Sequence, residues 1–310
     1  MDWSKPETED VRAALRAAAP QLADKPLAFL AEGWELWAFE AGDHVVRFPK
    51  NEASVTSLRL ERALLPALAE HLTVGVPRID VWGDSGPNDT PFAGHTKLPG
   101  IHVWPNGDAP VGRPGPSFGR QLGDLLRELH SFPIERALDL GVPVHDVAVE
   151  RAQRIKHFEA VIRRVFPLVS CEARTHIETV YRDAINDPAY YASEPCFTHR
   201  DIDVNTLIDE EGNITGLIDF GGCVIGSPAI DYWLPVHGFD RLGIGEQSAA
   251  CIEASGITSK ELDTMRPELA YINLHYPVHD ILHGLETGQP EFVEDGIKHL
   301  NTLLPSSIRC

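Results

Sequence analysis

No stretch of the chain approaches the roughly 18 consecutive apolar residues that a membrane-spanning helix needs, so no transmembrane segment is expected. Cysteine is scarce and unpaired. The five residues at 171, 196, 223, 251 and 310 are odd in number and form no C-x-x-C pair. A reduced, cytoplasmic setting therefore fits better than a disulfide framework, and a zinc site is not expected. The first twenty residues are acidic and lack the apolar core of a secretion signal. Positive charge is in deficit: 27 Lys and Arg stand against 46 Asp and Glu, a net charge of −19. Phosphate contacts dominate nucleic-acid affinity, so a nucleic-acid partner is not expected, whereas a polycation would be drawn in over a distance. There is neither an internal repeat nor a low-complexity tract, which argues against a solenoid. With 43% hydrophobic residues in 310, the chain has core enough for one large or two modest domains.

The chemistry concentrates between residues 196 and 233, CFTHRDIDVNTLIDEEGNITGLIDFGGCVIGSPAIDYW. Residues 206–209 read as a short apolar strand and 210–213 as a turn, since Gly212 and Asn213 tolerate positive φ. Residues 214–220 read as the returning strand, with β-branched Ile214, Thr215 and Ile218. A carboxylate stands at each end of this hairpin, Asp201 before it and Asp219 where it runs into Gly221-Gly222. Such a layout suits phosphoryl transfer, which needs a base beside the acceptor hydroxyl and oxygen ligands for the magnesium that neutralises a triphosphate. Asp201 fits the base, and Asn205 and Asp219 fit the metal ligands. The order His199-Arg200-Asp201 followed by Asp219-Phe220-Gly221 is that of the catalytic and metal-binding loops of protein kinases.

The stretch resembles the aminoglycoside phosphotransferase superfamily of antibiotic kinases, with its His-Gly-Asp-x-x-x-x-Asn loop, its Ile-Asp-Phe/Trp strand end and its Gly-Asp-Pro-x-x-Asp. Here that last motif reads Gly226-Ser227-Pro228-Ala229-Ile230-Asp231. The resemblance implies that Asp231 braces the catalytic loop through backbone N–H groups, beside a plain capping role. Two departures stand out. Asp201 and Asn205 are four positions apart where the family has five, which points to a deletion within 202–204 and leaves Thr206 and Asp203 as alternatives to Asn205. Ser227 replaces an Asp, which should remove one bracing carboxylate.

Taken in order, residues 7–23 read as a helix, 27–31, 35–40 and 44–48 as strands, and 51–71 as a second helix. Gly33, at the first reversal, would let backbone approach phosphates. By resemblance Arg47 occupies the position of the phosphate-gripping Lys, with Lys50 as an alternative, and Glu61 is its ion-pair partner. Two further strands, 76–82 and 91–98, complete a small lobe. The family contacts the nucleotide base through the backbone of the crossing segment, here Lys97 and Leu98. Residues 104–116 read as a loop, and 117–130 as a helix that Ser117 would cap, with His130 structural. Helices are expected at 147–166 and 171–187, where the superfamily places acceptor-binding helices, and near 246–254, 259–284 and 290–304. Asp203, Asp240, Tyr271 and Asp280 are candidate acceptor contacts, with Glu286, Tyr276 and the acids Glu150, Glu159, Glu172 and Glu178 behind them.

The expectation is an α+β, two-lobe protein-kinase-like fold. Residues 1–98 form the nucleotide lobe, 99–104 the hinge, and 105–310 the catalytic and acceptor lobe. The expected activity is transfer of the γ-phosphoryl group of ATP or GTP, with Mg2+, to a hydroxyl of a small cationic antibiotic, an aminoglycoside first. A monomer is expected. A macrolide kinase, a kinase of another small metabolite, and a nucleotide-binding protein with little transferase activity are the alternatives.

Overall fold

The computed structural model describes residues 3–33, 35–104 and 110–304. Trp34, in the first expected reversal, and residues 105–109 of the expected loop lie outside them. The chain opens with α1 (Thr8–Ala18) and α2 (Pro20–Ala23), where a single helix was expected. Pro20 supplies no N–H to continue α1 and instead starts α2, a position where proline's missing donor costs nothing.

Strands β1 (Leu27–Glu32), β2 (Leu36–Ala41), β3 (His44–Pro49), β4 (Ile79–Gly83) and β5 (Phe92–Thr96) form an antiparallel sheet in the order β1-β2-β3-β5-β4. In β2 the alternation required by a one-sided sheet is kept, with Trp37, Phe39 and Ala41 turned inward. Phe39, Phe48 and Phe92 pack in succession, centroids 5.8 and 5.1 Å apart. Between β3 and β4 runs α3 (Glu52–His71), whose first turn is capped by Asn51 Oδ1 accepting from the Ser54 N–H at 2.9 Å.

The remaining elements, in order, are β6 (Ile101–His102), α4 (Phe118–His130), α5 (Ile134–Asp139), α6 (Val147–Arg164), α7 (Cys171–Asn186), β7 (Cys196–Thr198), α8 (Ile202–Asn205), β8 (Thr206–Ile208), β9 (Ile214–Leu217), β10 (Val224–Gly226), α9 (Ala229–Trp233), α10 (Phe239–Arg241), α11 (Ser248–Ser255), α12 (Ser259–Thr287) and α13 (Pro290–Leu303). Helices dominate this larger part, and the two-lobe α+β architecture is as expected. Among the described residues, no helix is long and apolar enough to cross a membrane. Ser117 does not cap α4. Its hydroxyl donates to Asn213 Oδ1 at 3.1 Å and ties α4 to the hairpin turn instead. In that turn Gly212 takes φ +79° and lies against Gly115, where any side chain would collide with backbone.

Two apolar clusters result. The smaller joins α1, α2 and the sheet through residues such as Val11, Leu15, Phe39 and Phe92. The larger fills the helical part, yet it also takes Leu64, Leu65 and Leu68 from the C-terminal end of α3 and Leu72 just beyond it. That end is docked on α4, with Glu128 Oε2 accepting from the Thr73 N–H at 2.7 Å. The next residues pair with β9, Gly75 N–H donating to Thr215 O at 3.1 Å. Gly100, in the crossing segment, takes φ +118°, and a Cβ there would stand 2.5 Å from Thr215 Oγ1. The close crossing over the β8–β9 hairpin therefore requires glycine.

Candidate active site

The loop from β7 to α8 carries His199, Arg200 and Asp201. His199 is wholly buried. Its Nε2–H donates to Ile218 O at 2.9 Å while its Nδ1 accepts from the Asp201 N–H at 3.3 Å. One nitrogen donates and the other accepts, so the ring is neutral, and burial pushes its pKa down. His199 thereby ties the residue before Asp219 to Asp201 itself. Arg200 stands at φ +81°, a conformation that costs an L residue about 1–2 kcal/mol and explains why glycine suits this position. Asp231 holds the strained peptide. Its Oδ1 accepts from the Arg200 N–H at 2.7 Å and its Oδ2 from the His199 N–H at 3.0 Å. The carboxylate is fully buried. Burial opposes its charge, but hydrogen bonding and charge from His130, whose Nε2 lies 3.0 Å from Oδ2, keep its pKa below the usual range.

The short spacing after Asp201 becomes one helical turn, α8. Asn205 Nδ2 donates back to Asp201 O at 3.0 Å, leaving Oδ1 as the oxygen of that amide open to a cation. The Asn205 carbonyl accepts from the Ile218 N–H at 3.1 Å, so Asn205 and Asp219 sit side by side. Thr206, the alternative, turns its hydroxyl back onto Ile202 O at 2.6 Å inside the protein and is used up there.

The returning strand, expected to reach 220, ends at Leu217, and Asp219 two residues on stands at φ +65°, the left-handed region, which is sparsely populated by side chains other than Gly, Asn and Asp. Asp201 and Asp219 both present surface to solvent, while protein crowds them on most other sides. That crowding raises the pKa of Asp201. Burial and then the charge of Glu61 push Asp219 to about 6. Asp203 is buried beside them and is likewise lifted to about 6, first by burial and then by Asp201. Asp201 and Asp219, the charge of the first helping to raise the pKa of the second, stand with the Asn205 amide oxygen as a hard-oxygen set. This is the donor chemistry that a magnesium ion requires.

The sheet meets this loop through one ion pair. Arg47 of β3 binds Glu61 of α3 with both terminal nitrogens, at 3.3 Å to Oε1 and more closely to Oε2. Both side chains are buried. Glu61 Oε1 also accepts from the Phe220 N–H at 2.8 Å, so one carboxylate couples the sheet, α3 and the Asp219 loop. Lys50, the alternative to Arg47, is engaged elsewhere, donating to Glu32 Oε1 at 2.6 Å and Gly33 O at 2.8 Å. Gly33 has no positive φ, and a Cβ there would meet only ordinary contact, so its conformation does not demand glycine. In the crossing segment the Lys97 N–H is already donated to Asp43 O at 2.8 Å and its Nζ to Glu40 Oε2 at 3.0 Å. Leu98 packs over Gly216.

The acceptor candidates separate. Asp203 adjoins Tyr276, whose phenol is kept neutral by burial and by the charges of Asp203 and Asp201. Tyr276 packs on Trp233 with centroids 4.5 Å apart, and Trp233 packs on Trp104 at 5.7 Å. Arg241 lies 4.9 Å from the Trp104 ring and faces Asp280, which is half-buried with a pKa raised by that burial. Asp240 is exposed and folds back over Gly245. Tyr271 does not join this group. It is buried among α6, α7 and α12, edge-on to Tyr181 at 5.2 Å and beneath the Arg154 guanidinium at 4.4 Å. Three of the supporting acids are paired within the protein: Glu286 with Arg164, Glu150 with Arg154, and Glu178 with Arg182.

Sequence reasoning missed two partners. His130 was read as structural, with no sign that it meets Asp231 101 residues away. Ser227 was expected to leave its loop one carboxylate short, but a carboxylate arrives from α12. Ser227 Oγ donates to Glu268 Oε2 at 2.5 Å, and Glu268 lies 3.6 Å from Arg154. Burial, first among its influences, lifts Glu268 from 4.5 to about 7. Because the folded pKa is the higher one, folding favours the protonated acid. Its contribution is present in full below pH 4.5, falls away as pH rises towards about 7, and is absent above. Between pH 5 and 8 the wild type is therefore expected to lose about 1–3 kcal/mol through this group. Glu268→Gln should remove that part of the pH dependence in chemical denaturation measured at the two pH values. An unchanged slope would show that Glu268 is ionised in the fold at little cost.

Comparison with known proteins bears on the family and the fold. A family model described as the phosphotransferase enzyme family, APH, matches residues 25–267. The GDP complex of wild-type aminoglycoside 2′-phosphotransferase-IIIa superposes with a TM-score of 0.76 at 23% identity, covering 96% of this chain and 98% of that one. The apoenzyme of a macrolide 2′-phosphotransferase from Brachybacterium faecium gives a TM-score of 0.60 at 21% identity, covering 89% and 92%. At these identities the likenesses show the fold. The Bacillus subtilis (strain 168) protein YcbJ, itself uncharacterised, is 26% identical over 275 residues, 83% of this chain and 82% of its own. With the family model spanning well over half its length, the chain belongs to the phosphotransferase enzyme family and carries its kinase-like, two-lobe fold.

Proposed function

We propose that the protein transfers the γ-phosphoryl group of ATP or GTP to a hydroxyl of a cationic aminoglycoside. The observation that carries this reading is the single linked unit formed by Asp201, Asn205, Asp219 and the Arg47–Glu61 pair, joined through the Phe220 N–H. The nucleotide would lie between the lobes, 1–98 and 105–310, hinged at 99–104. Arg47 faces its phosphates, and backbone near Lys97 and Leu98 faces its base. Asn205 Oδ1 and the Asp219 carboxylate would hold magnesium, which when bound neutralises charge on the triphosphate oxygens. Asp201 orients the acceptor hydroxyl and takes its proton as a P–O bond forms to the γ-phosphorus and the bond to the β,γ-bridging oxygen breaks. Its neighbour Asp203, the half-buried Asp280 and the exposed Asp240 offer negative charge on the acceptor side. The net charge of −19 favours a polycation at longer range.

A second reading rests on the partly exposed Trp104 and Tyr276, backed by the buried Trp233, an aromatic surface better matched to an apolar acceptor such as a macrolide. Mass spectrometry of aminoglycosides, macrolides, small sugars and amino alcohols, each incubated with protein, magnesium and either ATP or GTP, separates the readings. One added phosphate on an aminoglycoside, absent with Asp201→Ala, is expected. The same gain on a macrolide alone would keep the chemistry and replace the acceptor. Nucleotide binding without any product would remove the transferase reading.

A further inference from the structure

Away from the catalytic loop, His157 of α6 meets His275 and His279, one turn apart on α12. Ring centroids are 4.5 Å apart for His157 and His275, 5.9 Å for His157 and His279, and 5.6 Å for His275 and His279. One ring nitrogen from each of the three lies within 4.8 Å of the others. Tyr181 of α7 sits behind two of them, its hydroxyl oxygen 3.1 Å from His157 Nδ1 and 3.1 Å from His275 Nδ1. A buried phenol between two ring nitrogens accepts from one and donates to the other, so Tyr181 holds both rings in place and leaves the ring that donates to it with its lone pair on Nε2; Tyr271 Oη also lies 3.4 Å from His275 Nδ1. His157 Nε2 is buried and has no hydrogen-bond partner, a cost of about 1–3 kcal/mol for a polar atom taken out of water with nothing in exchange.

We propose that His157, His275 and His279 bind one divalent transition cation of the zinc type, linking α6 to α12 with Tyr181 of α7 orienting two of the ligands. Imidazole nitrogen is a donor for zinc, cobalt, nickel and copper and not for magnesium or calcium, which take oxygen. Bonds of about 2.0–2.1 Å in a tetrahedral arrangement place ligand nitrogens about 3.4 Å apart, so the three rings need only a modest rotation to close on an ion. Water would complete the set. The rings are ready as ligands because each must be neutral to bind. Burial lowers the pKa of His157 to about 4, of His275 well below its ordinary value, and of His279 also. The signal was present in the sequence as His275, His279 and His283, spaced by four along one helix. The scarcity of paired cysteine, which argued against zinc, says nothing about an all-histidine set. This site does not depend on the phosphotransferase reading.

The test is titration of the chelator-stripped full chain with Co2+ under excess Mg2+ and without nucleotide, so that the oxygen-donor site at Asn205 and Asp219 is held by magnesium. An intense visible d–d absorption of tetrahedral type is expected, saturating at one equivalent and abolished by Zn2+. Zinc at a hundred times its dissociation constant should raise Tm by roughly 5 °C. His157→Gln should weaken cobalt binding at least tenfold. His279→Gln, on a half-exposed side chain that is less able to disturb folding, should do the same. No saturable spectrum, a weak octahedral-type spectrum, a thiolate charge-transfer band placing the ion on cysteine, or binding unchanged in both folded variants would each overturn the proposal.

Discussion

Replacement of Asp201 by Ala is expected to lower kcat for phosphoryl transfer by about 10²–10⁴-fold, the usual contribution of a positioned base, with little change in nucleotide affinity. The asymmetry follows from the geometry. The Asp201 backbone is fixed by His199 Nδ1 and Asn205 Nδ2, whereas among the described residues no hydrogen bond engages its carboxylate, which is open to solvent. Removing that carboxylate therefore leaves the loop's own bonds in place and takes away only what an acceptor would meet. Nucleotide affinity should stay nearly level because the groups assigned to the phosphates and metal (Arg47, Asn205 and Asp219) are untouched. Stopped-flow nucleotide binding beside steady-state kinetics checks both halves. A variant within threefold of wild-type kcat would end the assignment of Asp201 as base, and equal losses in binding and turnover would make it a nucleotide ligand instead.

Asp231→Ala should act on the fold first. Its carboxylate is wholly buried and satisfies three donors: the backbone N–H groups of His199 and Arg200, and His130 Nε2. Each buried donor left without a partner costs about 1–3 kcal/mol, and the strained Arg200 peptide loses the bond that holds it. A loss of about 3–5 kcal/mol follows, or roughly 5–8 °C in Tm. Asp231→Asn keeps an acceptor oxygen and should cost about half as much. Activity measured where both variants remain folded should also fall, since Asp201 stands next to the released peptide. Denaturation of the two variants checks the order. Equal stability in wild type and Asp231→Ala would mean that solvent or another group replaces the brace.

The parts of this site that were legible in the sequence are those set by local geometry. Asp201, Asn205 and Asp219 lie around one hairpin, and strand and turn propensities bring its ends together. The Arg47–Glu61 pair was expected only through the family resemblance, since neither residue type nor spacing marks it. The small-lobe strands were legible through alternation and turn residues. Contacts set by tertiary packing were not. Tyr271 was taken for a pocket residue because an aromatic on a long helix carries no mark of which face it shows, and it is buried against Tyr181 and Arg154. The bond from Ser227 to Glu268 crosses 41 residues, and the meeting of His130 with Asp231 crosses 101. Neither distance leaves a period or a motif. Pro20 was read as a stop when it was also a start, because proline suits both the end of one helix and the first position of the next.

Helix α3 has a consequence for how the chain is made. Glu61 in its middle pairs with Arg47 of the sheet, but Leu64, Leu65, Leu68 and, just past its end, Leu72 lie in the larger core, among side chains that follow as late as Phe239 and beyond. When residues 1–98 have left the ribosome, the sheet can close while those four leucines still have nothing to cover them. At ordinary rates of synthesis the wait lasts on the order of ten seconds, time enough for a sticky helix end to find a wrong neighbour or a chaperone. The lobe is thus not a separable piece. Residues 1–98 produced alone should aggregate, and the full chain should be vulnerable during synthesis at the end of this helix, whatever the stability of the finished protein.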